Sequence, residues 1–151
     1  MHACKCRQCV KAAVAEGYNA INPQGWYLEA EGMAVGLCVG FDVGLVVGMY
    51  TNDPVNDTDQ EKLVLGGQGE MWGETVDASD IEQTIWPRLA AVAEQLWRPQ
   101  AVTMSPTGVN SAAPRLAAFR CLLNRRGIWA APTKSATGRE APHRAGSCLN
   151  Q

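Results

Sequence analysis

The stretch LVLGGQGEMWGETVDASDIEQTIWPRLAAVAEQLW, residues 63–97, decides the fold of this chain. It begins with a short apolar run closed by paired glycines, which predicts a buried β-strand over residues 63–67. A polar and aromatic loop follows. Because proline is tolerated in the first turn of a helix, Pro87 is predicted to open the main helix of the unit. Residues 81–97 have amphipathic helical spacing, and their apolar face comprises Ile81, Ile85, Leu89, Val92, Leu96 and Trp97.

A second unit of this kind lies upstream. Residues 8–16 are predicted to form a helix that stops at Gly17, residues 18–21 a short strand, and residues 25–29, GWYLE, an aromatic loop. Helices that alternate with strands, and loops that follow strand ends, are typical of an α/β barrel. A complete barrel takes about 250 residues, so 151 residues can supply only a few of its units. Residues 100–113 are predicted to be a loop and residues 114–126 a last helix.

The composition excludes no ordinary globular class. The net charge is −2, with 13 basic and 15 acidic residues, which gives no reason to expect a nucleic-acid partner. The first ten residues, MHACKCRQCV, have no apolar core and do not resemble a signal peptide. Cys121 and Cys148, near the end of the chain, suggest a secreted protein, and a secreted protein needs a signal peptide. We therefore expect the chain to lack part of its N-terminus.

The cysteines form two sets, one early and one late. Cys121 and Cys148 could close a terminal loop, which is typical of secreted or lysosomal proteins, or they could remain unpaired thiols. The early residues His2, Cys4, Cys6 and Cys9 offer four potential zinc ligands. Structural zinc sites usually space two ligand pairs further apart, so the sequence does not favour a metal site there.

Residues 32–49 contain a glycine at every fourth position, from Gly32 to Gly48. Such a stripe occurs on packed membrane helices, and the length is just sufficient for a span. Asp42 lies in its middle, however, and a charge there is costly, so a membrane span is disfavoured and an atypical insert preferred. Beyond it, Asn56 opens the triplet Asn-Asp-Thr, an N-glycosylation site if the protein enters the secretory route.

Chemistry is expected where the strand at residues 63–67 ends. There Trp72 is followed closely by Glu74. A sugar has an apolar face of C–H bonds, which suits an indole ring, and an edge of hydroxyls, which suits a carboxylate. The two residues could bind a sugar in this way. Equally, Trp72 could close the mouth of a barrel and Glu74 could stabilise the start of the next helix.

Several blocks of the chain resemble one family, the β-N-acetylhexosaminidases of glycoside hydrolase family 20. The blocks are GYNAINPQGWYLE at residues 17–29, MYTNDPV at 49–55, the MWGE and WPR-x-x-AVAE-x-LW motifs within 63–97, and RLAAFRCLLNRRGI at 115–128. The resemblance covers residues 10–30 and 49–148. It implies a partial TIM (β/α)8 barrel: the last two or so βα units plus a C-terminal helix. Residues 10–130 would form this portion, with segments 1–9 and 31–48 foreign to the family and 131–151 a disulfide-tied irregular tail.

The resemblance also implies a substrate-assisted retaining mechanism, in which the acetamide of the substrate is the nucleophile. Tyr27 would hydrogen-bond the acetamide oxygen, Trp26 and Trp72 would wall the sugar pocket, and Glu74 would bind outer hydroxyls. Glu29 would also bind the substrate, and it falls where the family has Asp or Asn, which have a shorter side chain. No metal or organic cofactor is implied. The family further implies a Cys121–Cys148 disulfide, glycans ending in N-acetylhexosamine as substrates, a homodimer, and a lysosomal, vacuolar or secreted location.

One departure from the family bears directly on activity. The catalytic Asp-Glu dipeptide belongs to an earlier strand, and this sequence contains no such dipeptide. We therefore expect the chain to be inactive alone and active only when joined to the missing part of the barrel. The alternative is a non-catalytic remnant or binding product.

Overall fold

The computed structural model describes residues 6–28, 45–55, 61–73 and 76–133. Within them a 3₁₀ turn, Glu61–Leu63, precedes the second strand. This part of the chain mixes helices with strands, as the sequence predicts. The elements in chain order are α1 (Cys6–Ala15), β1 (Ala20–Asn22), α2 (Leu45–Tyr50), β2 (Val64–Gly67), α3 (Ile81–Ile85), α4 (Arg88–Trp97), α5 (Gln100–Thr103) and α6 (Pro106–Arg125).

The two strands pair in parallel, although some forty residues separate them in sequence. Ala20 lies opposite Val64, and Asn22 lies opposite Gly67, with an irregularity of register after Ala20. In parallel pairs both carboxyl ends lie at the same edge of the sheet. The loops that follow β1 and β2 therefore start side by side.

Helix α1 ends as its sequence predicts. Gly17 has a φ of +86°, and its N–H donates to the Val14 carbonyl at 3.0 Å. The Tyr18 N–H donates to the Ala13 carbonyl, also at 3.0 Å, so the last carbonyls of the helix are satisfied. The strand begins later than predicted, at Ala20 rather than at Tyr18.

Proline divides the predicted helix 81–97 into α3 and α4. The ring of a proline inside a helix collides with the carbonyl of the preceding turn, and the residue has no N–H to donate. Trp86 accordingly adopts an extended conformation, with φ −107° and ψ 137°, and Pro87 occupies the N-cap position of α4. The prediction that Pro87 opens the main helix is confirmed.

The prediction of a loop over residues 100–113 is wrong. Helix α5 and the first turns of α6 occupy this region. Ser105 caps α6, since its hydroxyl accepts a hydrogen bond from the Gly108 N–H at 2.9 Å, and Pro106 fills the first helical position. Pro114, predicted to begin the helix, instead lies inside it.

The core is formed where the loop after β1 meets three helices. Trp26 and Leu28 come from that loop and are almost completely buried. Helix α2 supplies Met49 and Tyr50, and helices α4 and α6 supply the remaining members: Ala91, Val92, Ala112 and Leu116. Of the predicted insert, residues 31–44 lie outside the described residues, whereas its end belongs to α2. No helix in the described ranges is long and apolar enough to cross a membrane.

A carboxylate on α4 connects the helices around this core. Glu94 accepts hydrogen bonds from the Tyr50 hydroxyl at 3.3 Å and from Arg98 at 3.0 Å, and it pairs with Arg115 of α6. Partial burial acts to raise the pKa of Glu94, but the bonds from Arg115 and Arg98 outweigh it, so the pKa lies below its ordinary value. Glu94 thus links α2, α4 and α6 as a carboxylate.

Candidate functional site

The loops that follow β1 and β2 continue side by side beyond the strands. Tyr27 and Glu70 are bridge partners in parallel orientation. The Leu28 N–H donates to the Glu70 carbonyl at 2.8 Å, and the Glu70 N–H donates to the Trp26 carbonyl at 2.9 Å. This bridge brings together the WYL and MWGE segments, the two loops in which the sequence places its candidate site residues.

Trp26 lies beneath this bridge and has no exposed surface. Its indole N–H donates to the Met49 carbonyl at 2.8 Å, and its ring packs over Gly67, where any Cβ would collide with it. A fully buried ring offers no face to a sugar, and further chain could only add to its burial. Trp26 is therefore a core residue and not the wall of the sugar pocket that the resemblance implies.

Tyr27 is half-buried between two buried neighbours, Trp26 and Leu28. Successive side chains of an extended segment point to opposite sides. The side chain of Tyr27 therefore leaves the core on the side opposite to those of its neighbours, at the edge where both loops begin.

Trp72 lies on the neighbouring loop with 54% of its surface exposed. Its indole N–H donates to one carboxylate oxygen of Glu70 at 3.4 Å, and the Gln68 amide donates to the other at 3.0 Å. Gln68, Glu70 and Trp72 are thus joined by side-chain hydrogen bonds on the loop that is bridged to Tyr27. The sequence places Glu70 just before Trp72 but gave it no role, although the two-residue spacing is the signal that places both on one side of an extended segment.

Arg88 is a second residue that the sequence reasoning missed. Although charged, it is 6% exposed, and it donates to the Leu28 carbonyl at 2.5 Å and to the Thr84 carbonyl at 3.2 Å. Burial lowers the pKa of its guanidinium to about 10, so it remains a cation at neutral pH. Its contact with Leu28 spans sixty residues of sequence and connects the start of α4 to the WYL loop.

Other predicted site residues lie outside the described residues: Glu29, Asn56, Glu74 and Cys148. The roles of Glu29 and Glu74, and glycosylation of Asn56, stay predictions. Cys121 is disulfide-bonded, but its pairing with Cys148 is likewise a prediction. In the described ranges no group of three or more His, Cys, Asp or Glu side chains could hold a metal. The zinc alternative falls largely outside them, since His2, Cys4 and the side chain of Cys6 are not described.

Comparison with protein families matches residues 3–100 to the glycosyl hydrolase family 20 catalytic domain. The chain belongs to glycoside hydrolase family 20. It is 55% identical to beta-hexosaminidase 3 of Arabidopsis thaliana over 106 residues, which are 68% of this chain and 19% of that protein. It is 41% identical to beta-hexosaminidase 1 of the same plant over 148 residues, which are 95% of this chain and 25% of that protein.

Animal members of glycoside hydrolase family 20 match as well. The beta-hexosaminidase subunit beta of Felis catus is 36% identical over 126 residues, which are 82% of this chain and 21% of that protein. The chain thus spans a quarter or less of the length of these relatives. The resemblance to the family that the sequence motifs carry is confirmed. The foreign origin predicted for residues 1–9 and 31–48 stays a prediction.

Proposed function

We propose that this chain forms the last part of the (β/α)8 catalytic domain of a β-N-acetylhexosaminidase. The whole domain removes terminal non-reducing N-acetylhexosamine from β-linked glycans. The observation that carries the proposal is the bridge between Tyr27 and Glu70, because it sets a tyrosine and an exposed tryptophan together at the carboxyl ends of two parallel strands. In (β/α)8 enzymes this is the face where active sites are built.

In the proposed reaction the acetamide oxygen of the substrate attacks the anomeric carbon. The bond from that carbon to the leaving oxygen breaks, the leaving oxygen takes a proton from a carboxylic acid, and a cyclic oxazolinium ion remains. Water then attacks the anomeric carbon and gives a proton back to the carboxylate, while the bond from that carbon to the acetamide oxygen breaks. Two successive displacements retain the configuration at the anomeric carbon. The chain lacks the Asp-Glu dipeptide that would orient the acetamide and supply the proton, so these groups come from an upstream part of the domain.

Tyr27 is assigned the task of donating a hydrogen bond to the acetamide oxygen. A fixed donor aimed at a reacting oxygen stabilises the transition state without reorganising. The half-buried position of Tyr27, held between two core residues, suits this task.

Trp72 is assigned the apolar face of the sugar, since about half of the residue is exposed and its indole N–H donates to Glu70. Glu74, two residues further on, would accept the outer hydroxyls, and Glu29 would contribute at the end of the WYL loop. Trp26 supports the loop from beneath. No cofactor enters this scheme. A homodimer and a lysosomal, vacuolar or secreted location belong to the same proposal, consistent with the disulfide at Cys121.

The absence of an Asp-Glu dipeptide favours one alternative for the chain as it stands, a non-catalytic product. The two functions differ in what the 151 residues need in order to act. An enzyme needs the upstream strands, whereas a binding product does not.

A pair of substrates tests the proposal. The full-length protein is assayed with an aryl N-acetyl-β-glucosaminide and with the corresponding aryl β-glucoside, which has no acetamide. We expect hydrolysis of the first and none of the second, because the second lacks the nucleophile. The isolated chain should hydrolyse neither. Equal rates with both substrates, or activity of the isolated chain, would contradict the proposal.

A further inference from the structure

The buried guanidinium of Arg88 has a specific target beside the candidate site. It lies at the first residue of α4 and reaches the Leu28 carbonyl at 2.5 Å, on a loop sixty residues earlier in sequence. It also contacts the Thr84 carbonyl at the end of α3. Removing a cation from water is costly unless its donors are satisfied. These two hydrogen bonds offset part of the desolvation cost of the buried side chain.

Leu28 is fixed on three sides. Its N–H donates to the Glu70 carbonyl at 2.8 Å, its carbonyl accepts from Arg88, and its side chain is 1% exposed in the core. The first contact comes from the neighbouring loop and the second from a helix. Leu28 therefore joins the bridge between the loops to the start of α4.

These contacts fix the position of the Tyr27 backbone. On one side of it, Trp26 is held by the Met49 and Glu70 backbones, and on the other Leu28 is held by Glu70 and Arg88. With both neighbours fixed, the backbone on either side of Tyr27 is held in place. Of these restraints, only that from Arg88 comes from a charged side chain.

We propose that Arg88 is a positioning residue that acts through the Leu28 carbonyl to hold the hydroxyl of Tyr27 where the substrate's acetamide oxygen is bound. The inference rests on the proposed function for the role of Tyr27, but not for the restraint itself. Helix α4 gives Arg88 a rigid base, because Ala91 and Val92 on its next turn are buried in the core.

Lysine cannot replace arginine in this task. One nitrogen, Nη1, reaches both carbonyls, and the planar guanidinium holds it in a fixed place, whereas an ammonium lies on a shorter and more flexible stem. Arg88→Lys keeps the charge but loosens the restraint. The matched control is Arg120→Lys, since the Arg120 Nε donates to the Ala130 carbonyl at 3.1 Å and holds the end of the described chain instead of the WYL loop.

The kinetic test is a double-mutant cycle in the full-length protein with an aryl N-acetyl-β-glucosaminide. Arg88→Lys should lower kcat on the order of tenfold with little change of KM, because misplacing a donor weakens binding of the transition state above all. In a Tyr27→Phe background the same change should have no further effect, since the hydroxyl to be positioned is gone. Arg120→Lys should leave kcat unchanged in both backgrounds. Additive losses in the cycle would overturn the proposal.

Amide hydrogen exchange supplies a reading that needs no activity. In Arg88→Lys the amides of Leu28 and Glu70 should exchange faster, while those of Ala20–Asn22 in β1 keep their protection. Uniform loss of protection would indicate a merely structural role and overturn the inference. If Arg88→Lys fails to fold, Arg88→Gln takes its place, and failure of both variants to fold would overturn it as well. An inactive wild type with locally faster exchange in Arg88→Lys would refute the proposed function while retaining the restraint.

Discussion

Tyr27 and Glu70 lie opposite each other on two parallel segments, joined by backbone hydrogen bonds of 2.8 and 2.9 Å that flank Tyr27. The bridge extends the pairing of β1 and β2 beyond the ends of the strands. As a result, a half-buried tyrosine and the exposed ring of Trp72 share one edge of the sheet. The proposed sugar-binding role of this edge depends on that arrangement.

Removing the hydroxyl of Tyr27 should impair the chemical step. Tyr27→Phe in the full-length protein is expected to lower kcat about 10²–10³-fold with KM nearly unchanged, as is typical when one donor to a developing charge is lost. Steady-state kinetics with an aryl N-acetyl-β-glucosaminide measures this. The control is Tyr18→Phe, because Tyr18 is exposed and lies before β1. A raised KM with unchanged kcat would instead indicate ordinary ground-state binding.

Gly67 should be intolerant of any side chain. A Cβ at this position would collide with the ring of Trp26 and lie 2.7 Å from the Asn22 carbonyl oxygen. Gly67→Ala is expected to lower the free energy of unfolding by about 1–3 kcal/mol, the usual cost of overpacking. Denaturant unfolding measures the change. Gly73→Ala is the matched control, because nothing lies within 4 Å of a Cβ there. Equal stability of both variants would refute the close packing of Trp26.

Trp72 should contribute to substrate binding. Trp72→Ala is expected to raise KM on the order of tenfold, or about 1.4 kcal/mol, through the loss of an apolar face for the sugar ring. The comparison is Trp97→Ala, which removes a ring that is 90% exposed at the end of α4. If both variants raised KM alike, or neither did, Trp72 would have no specific role in the pocket.

Glu94 should make stability depend on pH in the acid range. Its pKa in the folded state lies below the ordinary value of 4.5, so the unfolded state takes up the proton first. The stabilisation is complete above pH 4.5 and is lost as the pH falls through the lower folded value. Thermal unfolding of Glu94→Gln across this range should therefore vary less with pH than that of the wild type. Glu16→Gln, at an exposed position, should match the wild type.

Local signals in the sequence were sufficient for much of the fold. Gly17 ends α1 and Pro87 opens α4 because the backbone preferences of these residue types act within a few positions. The early start of α6 was missed because proline at the first helical position is a signal that Pro106 and Pro114 both carry. The preceding residue distinguishes them, since Ser105 is a good N-cap residue and Ala113 is not, and the Gly108 N–H donates to the Ser105 hydroxyl.

The candidate site was harder to predict than the elements that carry it. An aromatic residue after a strand suggests a ligand face. Trp72 is exposed and its ligand role stays a prediction, whereas Trp26 is fully buried. Alternation along the extended loop directs Trp26 inward, where Gly67 leaves room for its ring. Arg88 was missed for another reason: its contact with Leu28 spans sixty residues, and no local spacing encodes such a contact.

Sequencing the native transcript through its 5′ end tests most directly whether the paired strand ends are one edge of a larger catalytic barrel. We predict a continuous upstream reading frame of barrel length that encodes further strand–helix units and an Asp-Glu dipeptide at the end of one strand. A transcript whose translation begins at Met1 would contradict this, since the chain would then have no acid to protonate the leaving group.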